Sequence, residues 1–245
     1  MEELTLDEYL LEAKAKWFRR GLKSWAEQHL RDFSWRHTTE PYRIFIAEFL
    51  LQQTDAPRVV PVYHKFLEQY PTIYDLASAS LDELVEVLRP LGFHFRAVHL
   101  LASAHDIIER FEGHIPHTEE ELLELHGVGR YVARSVCTNA FGQQLAVLDT
   151  NIARILQRFF GLPLSRARAR NDPYLWEAAQ RVAPKRDVGF WNLTLIDFGA
   201  AVCTARSPKC SLCPVQQRCA HFHQATGGLS SDAKQETVLL PAGAP

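Results

Sequence analysis

The chain has 245 residues, 47% hydrophobic and 23% charged, which is enough for one domain or two small lobes around a real core. No apolar run approaches the roughly 20 residues needed to span a bilayer, and the acidic start MEELTLDEYLLEAK lacks a secretory signal's basic stretch and apolar core, so a cytoplasmic address is expected. The net charge of −2 hides an asymmetry: residues 125–220 hold 13 Lys and Arg against 5 Asp and Glu, which suggests one face for a polyanion on an otherwise acidic chain.

Apolar residues recur at helical spacing over 5–30. Pro41 is placed to open the helix of YRIFIAEFLLQQT, and Pro57 the next one, with Pro61 inside it as a point of bending. Ser80 and Glu83 have the spacing of a capping box ahead of an amphipathic run that Gly92 ends. A further helix is expected over 95–111, closed by Gly113, and a short acidic one after Thr118. The turn HGVG then leads into RYVARSVCTNAF. Asp149 or Thr150 is placed to cap NIARILQRFFG, and helices follow over 173–182 and 188–201. Val147 and Leu148 make at most a short extended approach to Asp149, so the chain reads as all-α. Residues 223–245 read as a flexible tail.

Four of the five cysteines fall within 17 residues, spaced Cys203-x6-Cys210-x2-Cys213-x5-Cys219. Four thiolates suit a 4Fe–4S cluster or structural zinc. Zinc sites usually use two close pairs, and only one pair is close here, which favours iron–sulfur and leaves zinc open. Cys137 stands apart in an apolar helical pattern and reads as a core thiol. In Leu125-His126-Gly127-Val128-Gly129-Arg130, two glycines flank one apolar residue. Such a turn can point its amides outward to phosphate while Val128 plugs the gap between helices; the same pattern also fits an ordinary helix-turn-helix. Asp149 is a helix cap or a carboxylate at a helix mouth. Glu48 is an acid inside IFIAEFLL, where an uncompensated buried carboxylate is costly and so points to function.

Taken in order, LHGVGRYVARSV, LDTNIARI and the cysteine loop resemble the helix-hairpin-helix base-excision glycosylases of the endonuclease III type. WRHTTEPYRIFIAEFLLQQT narrows the resemblance to the adenine and mismatch thymine glycosylase branches, and the likeness covers residues 30–222. It implies two helical lobes with double-stranded DNA in the cleft between them: residues 33–143 as a six-helix lobe with the hairpin, and residues 1–32 with 144–222 as a lobe holding a 4Fe–4S cluster on Cys203, Cys210, Cys213 and Cys219. It implies a monomer, acting in the cytoplasm at the nucleoid, that flips a mismatched nucleotide out of the duplex.

By the same resemblance Asp149 is the catalytic aspartate and Glu48 the pocket acid. Tyr131 stands where lyase-active relatives carry a Schiff-base lysine, so monofunctional base release is expected, because a phenol forms no imine. Gln52 and Gln53 match residues that contact the opposite base or fill the vacated stack. Phe93 and His94 lie in a loop resembling the family's intercalating wedge, with Phe95 expected in the core. Gly127, Gly129, Arg130 and Asn151 complete the expected DNA contacts. Asp149-Thr150-Asn151, the stretch WNLTLIDFGAAVC and the 26 residues after Cys219 favour thymine or uracil opposite guanine. Gln52-Gln53-Thr54 favours the alternative, adenine opposite guanine or 8-oxoguanine. A non-catalytic iron–sulfur DNA-binding module and a lyase are the remaining readings.

Overall fold

The computed structural model describes residues 5–92, 95–163 and 171–227. Among them there are helices and no strands. The expected helices appear with their local causes intact. Ser80 and Glu83 form a reciprocal capping box on α6 (Leu81–Leu88), and Thr118 caps α8 (Glu119–Leu123). Asp149 caps α10 (Thr150–Phe160) by accepting from the Ile152 amide. Pro41 opens α3 (Pro41–Leu51), whose free amides at Tyr42 and Arg43 are taken by the Glu40 carboxylate. Pro61 lies inside α4 (Ala56–Gln69).

Two expectations need correction. The first amphipathic stretch is not continuous: a capping box between Thr5 and Glu8 starts α1 (Leu6–Tyr9), which ends at Leu10, and α2 (Glu12–His29) begins afresh. Residues 223–226 are not tail. They belong to α13 (Ala220–Thr226), which packs against α10. The rest of the expected tail, 228–245, lies outside the described residues.

The helices enclose two hydrophobic cores. One lies between Trp35 and Cys137 and gathers α3, α4, α5 (Ile73–Ala77), α6, α7 (Phe95–Phe111), α8 and α9 (Arg130–Phe141). Cys137 is fully buried in it, as expected of a core thiol. The other joins α2 to α10, α11 (Pro173–Val182) and α12 (Val188–Ala201), with Phe18 stacked on Phe159 at 4.3 Å and set edge-on to Trp191. Each fully buried Phe or Leu contributes about 1.5–3 kcal/mol, so α2 is held to its lobe by packing with residues far along the chain. Tyr131 packs against both cores. No described helix is long and apolar enough to cross a membrane.

Residues 145–147 run extended without a partner strand. Side chains satisfy their backbone instead: Asn192 Nδ2 donates to the Leu145 carbonyl at 3.0 Å, the Ala146 amide to Gln180 Oε1 at 2.9 Å and the Val147 amide to Asn192 Oδ1 at 3.2 Å. These bonds fix the approach to Asp149.

Candidate active site

A cavity of about 990 Å³ runs between the two cores, and Glu48, Tyr131 and Asp149 all line it. α3 is buried on nearly every side, and Glu48 comes from its middle. Ser135 Oγ donates to Glu48 Oε1 at 2.6 Å, whereas Oε2 is buried with no partner among the described residues. Burial pushes the Glu48 carboxyl up from 4.5 to about 7, against the Ser135 hydrogen bond and the charge of Arg36. Glu48 therefore holds its proton to a higher pH than an ordinary glutamate.

Asp149 stands at the opposite lobe's edge of the cavity. Both of its readings hold at once. Oδ1 caps α10 through the Ile152 amide at 2.7 Å, and Oδ2 accepts from Asn151 Nδ2 at 2.8 Å. Arg154 in turn donates to Asn151 Oδ1 at 2.8 Å and to the Cys203 carbonyl at 2.8 Å, joining the carboxylate to the cysteine loop through one turn of helix. Tyr131 lies within reach of both acids: burial raises its phenol well above the ordinary value, and the charges of Glu48 and Asp149 raise it further. Among the described residues no lysine lines the cavity.

A second carboxylate escaped the sequence reading. Asp197 of α12 is fully buried and accepts from both guanidinium groups of Arg31 and Arg36 at 2.6–3.0 Å, and from the Arg31 amide at 2.8 Å. Burial opposes its ionisation, but these bonds outweigh burial and hold the carboxyl below its usual value. Asp197 sits in an apolar helix as Glu48 does, and that shared signal was available in the sequence. Ser135 and Asn139, which back Glu48, left only a faint one: polar residues on an otherwise apolar helix.

The other expected contacts are distributed unevenly. Gln52 and Gln53 line the cavity, and Gln52 Nε2 donates to the Gly127 carbonyl at 3.0 Å, tying the end of α3 to the hairpin. Gln53 is exposed, with a left-handed φ of 54°. Buried Arg96 clamps this turn through the Leu50 and Gln52 carbonyls and Thr54 Oγ1. Gly127 has φ 74°, and a Cβ there would meet His99 at 2.8 Å, so glycine is required. Gly129 caps α9 with no side chain, which leaves the first-turn amides open, and Val128 plugs the hairpin from the core as expected.

Arg130 is less available to phosphate than expected, since it pairs with Glu119 at 2.9 Å and lies over Trp176 at 4.6 Å. Asn151 points to Asp149 rather than outward. Phe95 is 41% exposed on the first turn of α7, which corrects its placement in the core. Phe93 and His94 lie outside the described residues.

Cys203, Cys210, Cys213 and Cys219 line one small cavity of their own and form no disulfides. No three His, Cys, Asp or Glu side chains among the described residues are arranged to hold a single metal ion. Four free cysteine thiols around one cavity are the donor set that holds a 4Fe–4S cluster. Burial pushes the Cys213 thiol up to about 12, with the neighbouring Cys219, Cys203 and Cys210 adding to it, so cluster binding must release protons. Arg158 braces the loop by donating to the Thr204 and Ala205 carbonyls, both at 2.7 Å. Gly21 lets α2 approach it closely: a Cβ there would meet Val215 at 2.6 Å.

Two helical cores thus flank a cleft lined by two acids, with a glycine hairpin and a four-thiol loop beside it. A model described as HhH-GPD superfamily base excision DNA repair protein matches residues 46–178, and the iron–sulfur binding domain of endonuclease III matches residues 203–219. The thymine-DNA glycosylase of Aeropyrum pernix is 40% identical over 224 residues, covering 90% of this chain and 99% of that one. The adenine DNA glycosylase of Rattus norvegicus is 36% identical over 87% of this chain, which spans 43% of the rat protein. Among solved structures, that of a thermostable thymine-DNA glycosylase superposes with a TM-score of 0.83 at 33% identity, covering 87% of this chain and 98% of that one. The chain belongs to the HhH-GPD superfamily of base excision DNA repair proteins. It is a DNA glycosylase with a 4Fe–4S cluster site at its four clustered cysteines.

Proposed function

We propose that this protein is a monofunctional glycosylase that removes thymine or uracil mispaired with guanine, working as a monomer on DNA at the nucleoid. The carrying observation is the meeting of Glu48 and Asp149 in one cavity between the lobes. A mispaired nucleotide is the cheapest to extrude, and its base would enter this cavity. As the bond from C1′ to the base breaks, the base takes the bonding pair and is neutralised by the Glu48 proton. The positive charge left on the sugar is stabilised by the Asp149 carboxylate, and water adds its oxygen to C1′ and gives up a proton, which restores the Glu48 acid. Within this scheme Gln52 and Gln53 face the opposite strand, and the amides after Gly129 take a phosphate.

Tyr131 and a cavity without lysine support hydrolysis over an imine-forming lyase route. The pyrimidine reading is supported by the Aeropyrum pernix relative, matched along 99% of its length. The rat adenine glycosylase keeps adenine as the second base to test. Incubation with T·G, U·G, A·G and A·8-oxoguanine duplexes, with and without alkali, is the experiment. Strand breaks at T·G and U·G only after alkali are expected. Release confined to adenine overturns the choice of base, and an adduct trapped by borohydride overturns the monofunctional assignment.

A further inference from the structure

Ser135 is the one hydrogen-bond donor to Glu48 among the described residues. A serine hydroxyl has a single hydrogen to give and lone pairs to receive with. Asn139, one turn further along α9, donates its Nδ2 to Ser135 Oγ at 3.0 Å. That bond takes one of the hydroxyl's two lone-pair sites, and the one acceptor for its hydrogen among the described residues is Glu48 Oε1, 2.6 Å away. An oxygen already receiving a hydrogen at that distance is not the one that carries the acid proton. The other oxygen, Oε2, is buried and has no partner among the described residues.

We propose that Asn139 and Ser135 form a positioning relay that holds the Glu48 proton on Oε2, the oxygen left free for the nucleobase. The inference rests on reading Glu48 as the general acid. A neutral carboxylic acid can place its proton on either oxygen, and only one placement delivers it to a base in the cavity. The relay settles that choice before the substrate arrives, so no reorganisation is needed during bond cleavage. The charged and titratable groups around Glu48 do not make this choice: Arg36 from the 3-10 turn Ser34–Arg36, Tyr131 from α9, Asp149 at the head of α10 and Asp197 behind Arg36 on α12 give neither Glu48 oxygen a hydrogen bond.

The test is single-turnover base release across pH, on the duplex the wild type processes, for Ser135→Ala, Ser135→Thr, Asn139→Leu and Glu48→Gln. Ser135→Ala is expected to be about tenfold slower, the net worth of one hydrogen bond. Its alkaline limb should move to higher pH, because the lost bond favoured the ionised form. Ser135→Thr restores rate and limb, and Asn139→Leu, which frees the hydroxyl to rotate, gives a smaller loss. If Ser135→Ala and Asn139→Leu match the wild type while Glu48→Gln is inactive, the relay is overturned and the general acid stands. A slow Ser135→Ala with an unmoved limb marks a packing role and also overturns the relay. A Glu48→Gln variant of wild-type rate removes the general acid itself, and the relay with it.

Discussion

Replacing Glu48 by Gln should stabilise this protein, and only above mildly acidic pH. The buried carboxyl keeps its proton up to about 7, against 4.5 for an ordinary glutamate. Below 4.5 the folded and unfolded chains both carry that proton, and the group costs nothing. As the pH rises, the unfolded chain releases the proton while the folded one retains it, so stability is lost progressively and the loss levels off above about 7. A shift of this size corresponds to about 3 kcal/mol. Gln is close in shape, never ionises, and keeps an amide oxygen for the Ser135 hydroxyl. The gain of Glu48→Gln over wild type should therefore grow from near zero at acidic pH to a plateau of roughly 6–12 °C in Tm above neutrality. Thermal unfolding followed by circular dichroism at several pH values measures it. A difference in Tm that stays constant across that range would refute the reasoning, because it would mean that Glu48 titrates normally in the folded protein.

Asp149→Asn should leave the Tm nearly unchanged, because Asn caps a helix about as well as Asp. Without the negative charge, base release should fall by roughly 10²–10³-fold; gel-shift binding of a mispaired duplex should persist, and its loss in a folded variant would contradict the catalytic role. Asp197→Ala should cost about 3–5 kcal/mol, since it strands the buried Arg36 guanidinium. Its effect should shrink in acid, because a carboxyl held below its usual value gives its stability above that value and loses it as the pH falls. Urea unfolding at neutral and acidic pH checks both claims, and a cost under about 1 kcal/mol would match only a surface pair.

How much of the molecule was legible beforehand follows from the range of each interaction. The caps at Ser80, Thr118 and Asp149 work over three residues, so they could be read from adjacent letters and they appear in the fold. The break at Leu10 was missed because the apolar pattern runs through it and hides a second capping box. Phe95 was misplaced because an apolar residue at a helix start carries no mark of which side faces solvent. The partners of Arg130 and Asn151 could not be read from a local pattern: Glu119 and Trp176 for the first, Arg154 for the second.

By itself the sequence determined the all-helical character, the hairpin and the cysteine loop, and it marked Glu48 and Asp149 as candidate acids, because each is a local pattern. Tertiary structure decided what those acids can do. Glu48 meets Ser135 across 87 positions and Arg36 meets Asp197 across 161. A carboxyl's proton affinity depends on the burial and charges brought to it by such distant partners. A carboxyl in the same kind of apolar helix thus has its proton affinity raised at Glu48 and lowered at Asp197, because only the second is packed against two guanidinium groups.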